Sequence, residues 1–300
     1  MRHIDHSRTA DYVLADFNIR IIFKDARANG VGLVPSFEPF LTGSAKGGLL
    51  FQMTVDDALP PAKGRERERI DKFDTGNGET VVDRLPGGGY QFIIKDIGGG
   101  ECCLLQTNKD FTDCRCALNG NHGMRRFGLN NALMLAFAFS GCFKQALLMH
   151  ASVIRKDGRG YAFIAKSGTG KSTHTSLWMK HIPGCELMND DNPIVRVVNG
   201  VPFIYGSPWS GKTPCYRAVK ARLGAVTRID RDKENSVERL CPAEAFASLL
   251  PSCSSMRWDK DLFDAYCDNV TRLVETVGIY TLHCRPDEEA AVMCHNAISR

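Results

Sequence analysis

Hydrophobic and polar positions along the chain fall into two styles. In the first 120 residues apolar residues recur in short runs with period-two alternation, bounded by turn residues. Residues 12–15 are apolar, and Phe17, Ile19, Ile21 and Phe23 alternate with Asn18, Arg20, Ile22 and Lys24, so two strands are expected before residue 25. Residues 25–48, rich in Gly, Pro and Ser, predict a loop anchored by Val34, Phe37 and Phe40. Strands follow at 49–55, 80–85, 90–96, 102–107 and 114–118, with Pro86-Gly87-Gly88-Gly89 and Gly98-Gly99-Gly100 as turns. The sign-alternating stretch 56–69 reads as a solvated loop entering an exposed edge strand. An all-β meander is the expectation for this half, and it holds no catalytic constellation.

From residue 129 helices join the strands. A helix is expected over 129–148. Its apolar run is broken by Ser140, Gly141, Lys144 and Gln145, too short and too polar to span a bilayer. Residues 150–154 and 161–165 read as two strands of a hairpin whose turn is Asp157-Gly158. A helix of about ten residues follows and ends near Pro183-Gly184. A short strand at 185–188 then runs into Asn189-Asp190-Asp191, and a second hairpin at 194–205 turns on Asn199-Gly200. A strand at 223–229, helices at 242–250 and 259–277, a strand at 279–283 and a helix at 287–298 complete the chain. The expected domains are 1–125, rich in β-structure, and 126–300, an α/β unit. The fold is α+β overall, and its second sheet is mixed because a tight hairpin delivers the strand before the glycine-rich turn.

That turn carries the clearest chemistry. Residues 165–173, Ala-Lys-Ser-Gly-Thr-Gly-Lys-Ser-Thr, have the spacing of a phosphate loop, between an apolar strand and a helix. Backbone N–H groups of Ser167, Gly168, Thr169, Gly170, Lys171, Ser172 and Thr173 would converge on phosphates at a helix N-terminus. Lys171 would reach the β- and γ-phosphates, and the Ser172 hydroxyl would ligate Mg²⁺. The Asp190-Asp191 pair, 18–19 residues after Ser172, supplies one carboxylate for the metal and one to accept a proton from an attacking hydroxyl. His150 opens the strand paired with the one leading into the loop, which brings it near the phosphates. Gly206-Ser207-Pro208-Trp209-Ser210-Gly211-Lys212 ends in a cation: Lys212 would contact the transferring group, and Trp209 would wall the pocket. Arg217 and Arg222 are weaker sources of transition-state charge.

Composition narrows the picture further. A net charge of +4 on 300 residues and no Lys/Arg block argue against nucleic acid or an anionic membrane as partner. The N-terminus has no apolar segment of the export type, so a cytoplasmic setting is expected and the 12 cysteines should be thiols. Cys102-Cys103 and Cys114-Arg115-Cys116 lack zinc-knuckle spacing and read as strand thiols in a core.

His150-Ala151-Ser152-Val153, the hairpin, Ser167-Gly168-Thr169-Gly170-Lys171-Ser172 and Asn189-Asp190-Asp191, in this order, resemble HPr kinase/phosphorylase and its kinase-like relatives. The resemblance covers roughly residues 148–295. It implies a phosphoenolpyruvate-carboxykinase-type phosphate-loop domain with His150, Lys171 and Asp191 in the active site. Asp191 would be the proton acceptor, Ser172 a Mg²⁺ ligand and Asp190 a contact to the metal or its water. The 206–212 loop looks like the Pro-Trp-x-Gly-Lys loop of a divergent, HPr-kinase-like branch. Two departures point away from HPr as the acceptor: Thr173 stands where HPr kinases carry Glu, and their Arg-containing segment that recognises HPr is absent. The expected activity is Mg-ATP-dependent phosphorylation of a hydroxyl on a protein, peptide or small molecule. The other class is a nucleotide-binding regulatory module with little or no catalysis. ATP against GTP, ADP or pyrophosphate, the acceptor, and homo-oligomerisation are left open by the sequence.

Overall fold

The computed structural model describes residues 8–24, 28–43, 48–74, 78–166, 168–211 and 213–299. The chain divides into two compact units, Met1–Gly141 and Cys142–Arg300. The division falls near the end of the first long helix, and the expected boundary after residue 125 lies within the first turns of that helix.

The first unit is built on strands β1 (Thr9–Leu14), β2 (Phe17–Phe23), β3 (Leu41–Thr42), β4 (Leu49–Val55), β5 (Glu68–Asp74), β6 (Glu79–Arg84), β7 (Tyr90–Lys95), β8 (Glu101–Thr107) and β9 (Asp113–Leu118). They form one sheet in the order β3-β1-β2-β4-β9-β8-β7-β6-β5. Only β5 to β9 make the expected meander. β4 runs parallel to both β2 and β9. Alternation identifies a strand and its buried face but not its neighbours, so a parallel insertion of this kind leaves no local trace. Val34, Phe37 and Phe40 are buried, as the loop anchors were expected to be.

The alternating charges before the edge strand do more than solvate it. Arg67 and Arg69 both pair with the buried Asp83. Burial alone would raise the Asp83 pKa, but the hydrogen bonds from Arg69 and Arg67 outweigh it and hold the carboxyl below its ordinary value. Cys102, Cys103, Cys114 and Cys116 are buried thiols on β8 and β9. Burial raises the pKa values of Cys103 and Cys114 well above the ordinary thiol range, so both stay protonated.

Helix α1 (His122–Cys142) begins seven residues earlier and ends six residues earlier than the expected 129–148. Asn121 supplies the start, its Oδ1 accepting from the Met124 N–H at 3.1 Å. Gln145 takes a φ of +62° soon after the last turn, and the remaining apolar residues become strand β10 (Ala146–Leu148). A short apolar run fits either element, and its tertiary neighbours decide.

The second unit continues with β11 (Ala151–Lys156), β12 (Arg159–Ile164), α2 (Lys171–His181), β13 (Glu186–Asp191), β14 (Ile194–Val198), β15 (Val201–Tyr205), β16 (Lys220–Arg231), β17 (Ser236–Arg239), α3 (Pro242–Leu249), α4 (Lys260–Thr276), β18 (Gly278–Cys284) and α5 (Glu288–Ile298). The sheet order is β10-β14-β15-β16-β12-β11-β13, with β18 on β16 and β17 on β18. It is mixed as expected: β12–β16 and β16–β18 are parallel, and the other pairs are antiparallel. Asp157 and Gly158, and Asn199 and Gly200, all take positive φ, the geometry a two-residue primed hairpin turn requires. Asp259 and Asp287 cap α4 and α5, accepting from the N–H groups of Leu262 and Ala290.

Helix α2 sits on this sheet through Trp178, which has no exposed surface. Its ring lies 5.4 Å from Tyr161, 5.2 Å from Phe163 and 5.3 Å from His295 of α5. One turn earlier His174 is buried too, and its Nε2 accepts from Trp178 Nε1–H at 2.9 Å. That bond requires an unprotonated Nε2, and burial pushes the His174 pKa down to about 4. The folded-state value lies below the unfolded value of about 6.5, so between those pH values the unfolded chain binds more protons. Stability should therefore fall by about 2–3 kcal/mol as pH drops from 7 to 4.5. Denaturation midpoints at the two pH values check this: the gap should shrink in His174→Gln, and an equal gap in both proteins would exclude His174 as its source.

Candidate active site

Three neighbouring strands bring the site together. In the register of the sheet Ala151 of β11 lies between Ile164 of β12 and Asp191 of β13. Ile164 is the last strand residue before the glycine-rich loop. Strands spaced about 4.8 Å apart therefore place the loop entrance and Asp191 about 10 Å from one another, with residue 150 between them. β13 runs through Asp191 rather than stopping at Met188, so both carboxylates belong to the strand end.

The loop delivers Lys171 and Ser172 at the first turn of α2. Gly168 and Gly170 have φ of +77° and +128°, and a Cβ at either would meet open space. Conformation rather than crowding therefore asks for glycine here. Lys171 Nζ lies 2.8 Å from His150 Nε2 and 3.4 Å from the Ala165 carbonyl oxygen. His150 Nδ1 lies 2.9 Å from Asp191 Oδ1. An ammonium can only donate, so Nε2 accepts from Lys171 and Nδ1–H donates to Asp191. The result is a continuous Lys171–His150–Asp191 chain. Burial lowers the Lys171 pKa, opposed by the charges of Asp191 and Asp190.

Asp190 turns toward the helix. It is 4% exposed, and its Oδ1 accepts from Ser172 Oγ at 3.1 Å. Thr175 Oγ1 donates to the Ser172 carbonyl at 3.1 Å and lies 3.3 Å from Ser152 Oγ, which ties the first turn of α2 to β11. Consecutive residues of a strand face opposite ways, so the pair divides: Asp190 meets Ser172 and Asp191 meets His150. Asp191 also has a φ of +144°, a conformation that non-glycine residues rarely adopt, and its Oδ2 accepts from Asn192 Nδ2 at 2.7 Å. Such backbone strain persists only where surrounding contacts impose it.

Those contacts come from the loop after β15. Its Gly211 N–H donates to the Asp190 carbonyl, and Ser210 Oγ, which donates to the Thr213 carbonyl at 2.6 Å, lies 3.0 Å from the same Asp190 oxygen. Ser207 Oγ–H donates to the Asn192 carbonyl at 2.6 Å, and the buried Asn189 amide donates to the carbonyl oxygen of Trp209 at 3.3 Å. Trp209 itself is 3% exposed, so it supports the β13 end from inside rather than walling an open pocket. Lys212 and Ser167 lie outside the described residues. Arg217 is committed elsewhere, donating to the Leu187 carbonyl and the Glu186 carboxylate. Arg222 pairs with Arg159 at the start of β12, the end away from the loop. Neither arginine reaches the Lys171–Asp191 chain.

Arg231 is the residue the sequence pattern missed. Its Nη2 donates to the Gly168 carbonyl at 2.7 Å and its Nε to the Thr169 carbonyl at 3.0 Å. In a planar trans peptide the N–H opposes the C=O, so a held Thr169 carbonyl turns the Gly170 N–H the other way. Only the parallel register of β12 with β16, Ile164 beside Arg228, carries Arg231 to the loop.

Ser172 Oγ and Asp190 Oδ1 form a pair of hard oxygen ligands that fits Mg²⁺. Among the described residues no cluster of three or more His, Cys, Asp or Glu side chains could hold a metal alone. Mg²⁺ ordinarily takes one or two protein oxygens and completes its shell with water and phosphate.

No protein-family model matches the chain, and no curated protein does. Among solved structures the HPr(Ser) kinase/phosphatase from Coxiella burnetii is similar at 10% identity. The match covers 51% of this chain and 88% of that one, with a TM-score of 0.32, a distant structural relationship. Among the described residues no helix is long and apolar enough to cross a membrane.

Proposed function

We propose that the protein is a Mg-ATP-dependent kinase that transfers the γ-phosphoryl group to a hydroxyl, using an HPr-kinase-like site on a phosphate-loop domain. The observation that carries this reading is the Lys171–His150–Asp191 chain standing beside the Ser172–Asp190 contact. Residues 168–173 bind the triphosphate through backbone N–H groups. Lys171 exchanges His150 for a phosphate oxygen, because a multiply charged phosphate outcompetes an imidazole nitrogen for the ammonium. Ser172 and Asp190 would hold Mg²⁺, which when bound would supply charge neutralisation for the phosphates.

Asp191 accepts the proton as the acceptor oxygen bonds to the γ-phosphorus and the bond to the β-phosphate oxygen breaks, leaving ADP. His150, released by Lys171 and held through Nδ1–H, keeps the Asp191 carboxylate oriented. Lys212, next in sequence after Gly211, would be a further cation for the transferring group.

Transfer and hydrolysis differ in their products. Incubated with Mg-ATP and a small-molecule and protein extract, the enzyme should release ADP without an equal amount of orthophosphate. Orthophosphate equal to ADP would mark a hydrolase and overturn the kinase reading.

A further inference from the structure

A second group of cations lies at the opposite end of the strand that leads into the glycine-rich loop. In the register of the sheet Lys156 of β11 pairs with Arg159 of β12, Arg159 with Arg222 of β16, and Arg222 with Phe203 of β15. Paired residues put their side chains on one face, so these cations form a row across strands about 4.8 Å apart. Lys156 is paired with Asp157. Lys220 adds a further charge, its Nζ 4.5 Å from the centre of the Phe203 ring. Arg159 and Arg222 are exposed, and among the described residues neither guanidinium has a hydrogen-bond or ion-pair partner. Like charges directly opposite one another destabilise a sheet.

The two arginines border a cleft of about 200 Å³, together with Gly224 of β16 and the turn from α4 into β18. No Asp or Glu lines it. Gly224 is skipped by the register with β12, where Gly160 pairs with Leu223 and Tyr161 with Ala225. Such a bulge leaves its extra residue outside the ladder, so Gly224 brings to the cleft backbone polar groups that pairing with β12 does not use. The arginines are not spent on closing the helix. The last turn of α4 is closed from within: Thr276 Oγ1 donates to the Arg272 carbonyl at 2.8 Å, and the Val277 N–H to the Leu273 carbonyl at 3.1 Å. Guanidinium groups bind phosphate oxygens in pairs, and a dianion between two of them turns a repulsive pair into an attractive one. Size decides among phosphate compounds. Drug-sized ligands occupy pockets of about 300–1,000 Å³, so this smaller cleft suits a phosphate group with a small substituent rather than a nucleotide.

We propose that Arg159 and Arg222 form a binding site for a small phosphate dianion, orthophosphate or a phosphomonoester, separate from the glycine-rich loop. Arg159 opens β12 and Ile164 closes it, so roughly 16 Å of strand separates this site from the loop entrance. The site stands independently of the kinase reading, because neither arginine reaches the Lys171–Asp191 chain.

The test is calorimetric titration, at constant ionic strength, of orthophosphate, glycerol phosphate and acetate. The protein is Lys171→Ala, in which the loop's own phosphate contact is removed, alone and with Arg159→Gln or Arg222→Gln added. Lys171→Ala should bind a phosphate compound at a single site, and acetate, a monoanion, about tenfold or more weakly. Each arginine substitution should weaken the phosphate compound about tenfold or more, as the loss of a charged hydrogen-bonding partner predicts. Both side chains are exposed, so without phosphate the variants should melt as their parent does. Tighter binding of orthophosphate supports the site with free phosphate as its occupant, and tighter binding of glycerol phosphate supports it with a monoester. No heat of binding from either compound at millimolar concentration overturns the proposal. Binding that either arginine substitution leaves unchanged, or that acetate equals, overturns it as well.

Discussion

Asp191→Asn should lower phosphoryl transfer by about 10²- to 10⁴-fold, the range general-base catalysis supplies, with ATP affinity changed less than threefold. The asymmetry follows from where Asp191 stands. Among the described residues it makes no hydrogen bond to Ser172 or to the glycine-rich loop, and its contacts include His150, Asn192 and the bridge to Ser210. Asparagine keeps the size of the side chain and its Oδ1 can still accept from His150 Nδ1–H, so the strained strand end is retained while the proton acceptor is lost. Asp190→Asn should behave differently. Its carboxylate faces Ser172, so that substitution should raise the Mg²⁺ concentration needed for half-maximal binding. Transfer measured beside calorimetric binding separates the two. Unchanged turnover in Asp191→Asn would remove it as the base.

Trp178→Ala should cost about 3–5 kcal/mol of the stability of the second unit, the usual range for deleting a fully buried large aromatic side chain. Trp178 carries more than area. It contacts Tyr161 and Phe163 of the strand that leads into the loop, and its indole N–H satisfies the buried His174. Truncation opens a cavity under α2 and leaves His174 Nε2 without its donor, a further penalty for a buried polar group. Because α2 presents Lys171 and Ser172, the loss is functional as well as structural. Nucleotide affinity should fall in the same variant although no phosphate contact has been removed. Trp178→Phe, which keeps most of the packing, should recover most of the stability. Equilibrium denaturation checks both, and a loss under 1 kcal/mol in Trp178→Ala would show that α2 is seated by other contacts.

Much of the second unit is legible in its sequence because local chemistry writes it. Asp157-Gly158 and Asn199-Gly200 can supply two positive φ values, so both hairpins follow from their turns. The glycine-rich loop is marked by the strand and helix on either side of it. The convergence of His150, Lys171 and Asp191 follows once the first hairpin is recognised, because pairing places Ala151 beside Ile164. What stays hidden is set by parallel pairing between distant segments. Arg231 reaches the loop through β16, 62 residues beyond Thr169 and 63 beyond Gly168, and β4 enters between β2 and β9 with no turn to announce it. The misplaced end of α1 has another cause: the apolar run at 146–148 serves a helix or a strand equally, and Gln145 at positive φ decides for the strand. Trp209 misleads in a third way. An aromatic residue in a glycine-rich loop reads as a pocket wall, yet here it is buried and supports the β13 end that carries both carboxylates.

Label transfer tests directly whether the loop lysine and the β13 carboxylates form one phosphoryl-transfer centre. γ-Labelled ATP with Mg²⁺ and a cell extract, incubated with wild type and with Lys171→Ala, should give a labelled hydroxyl-bearing product with the first protein and almost none with the second. Equal labelling by the two proteins would contradict the claim.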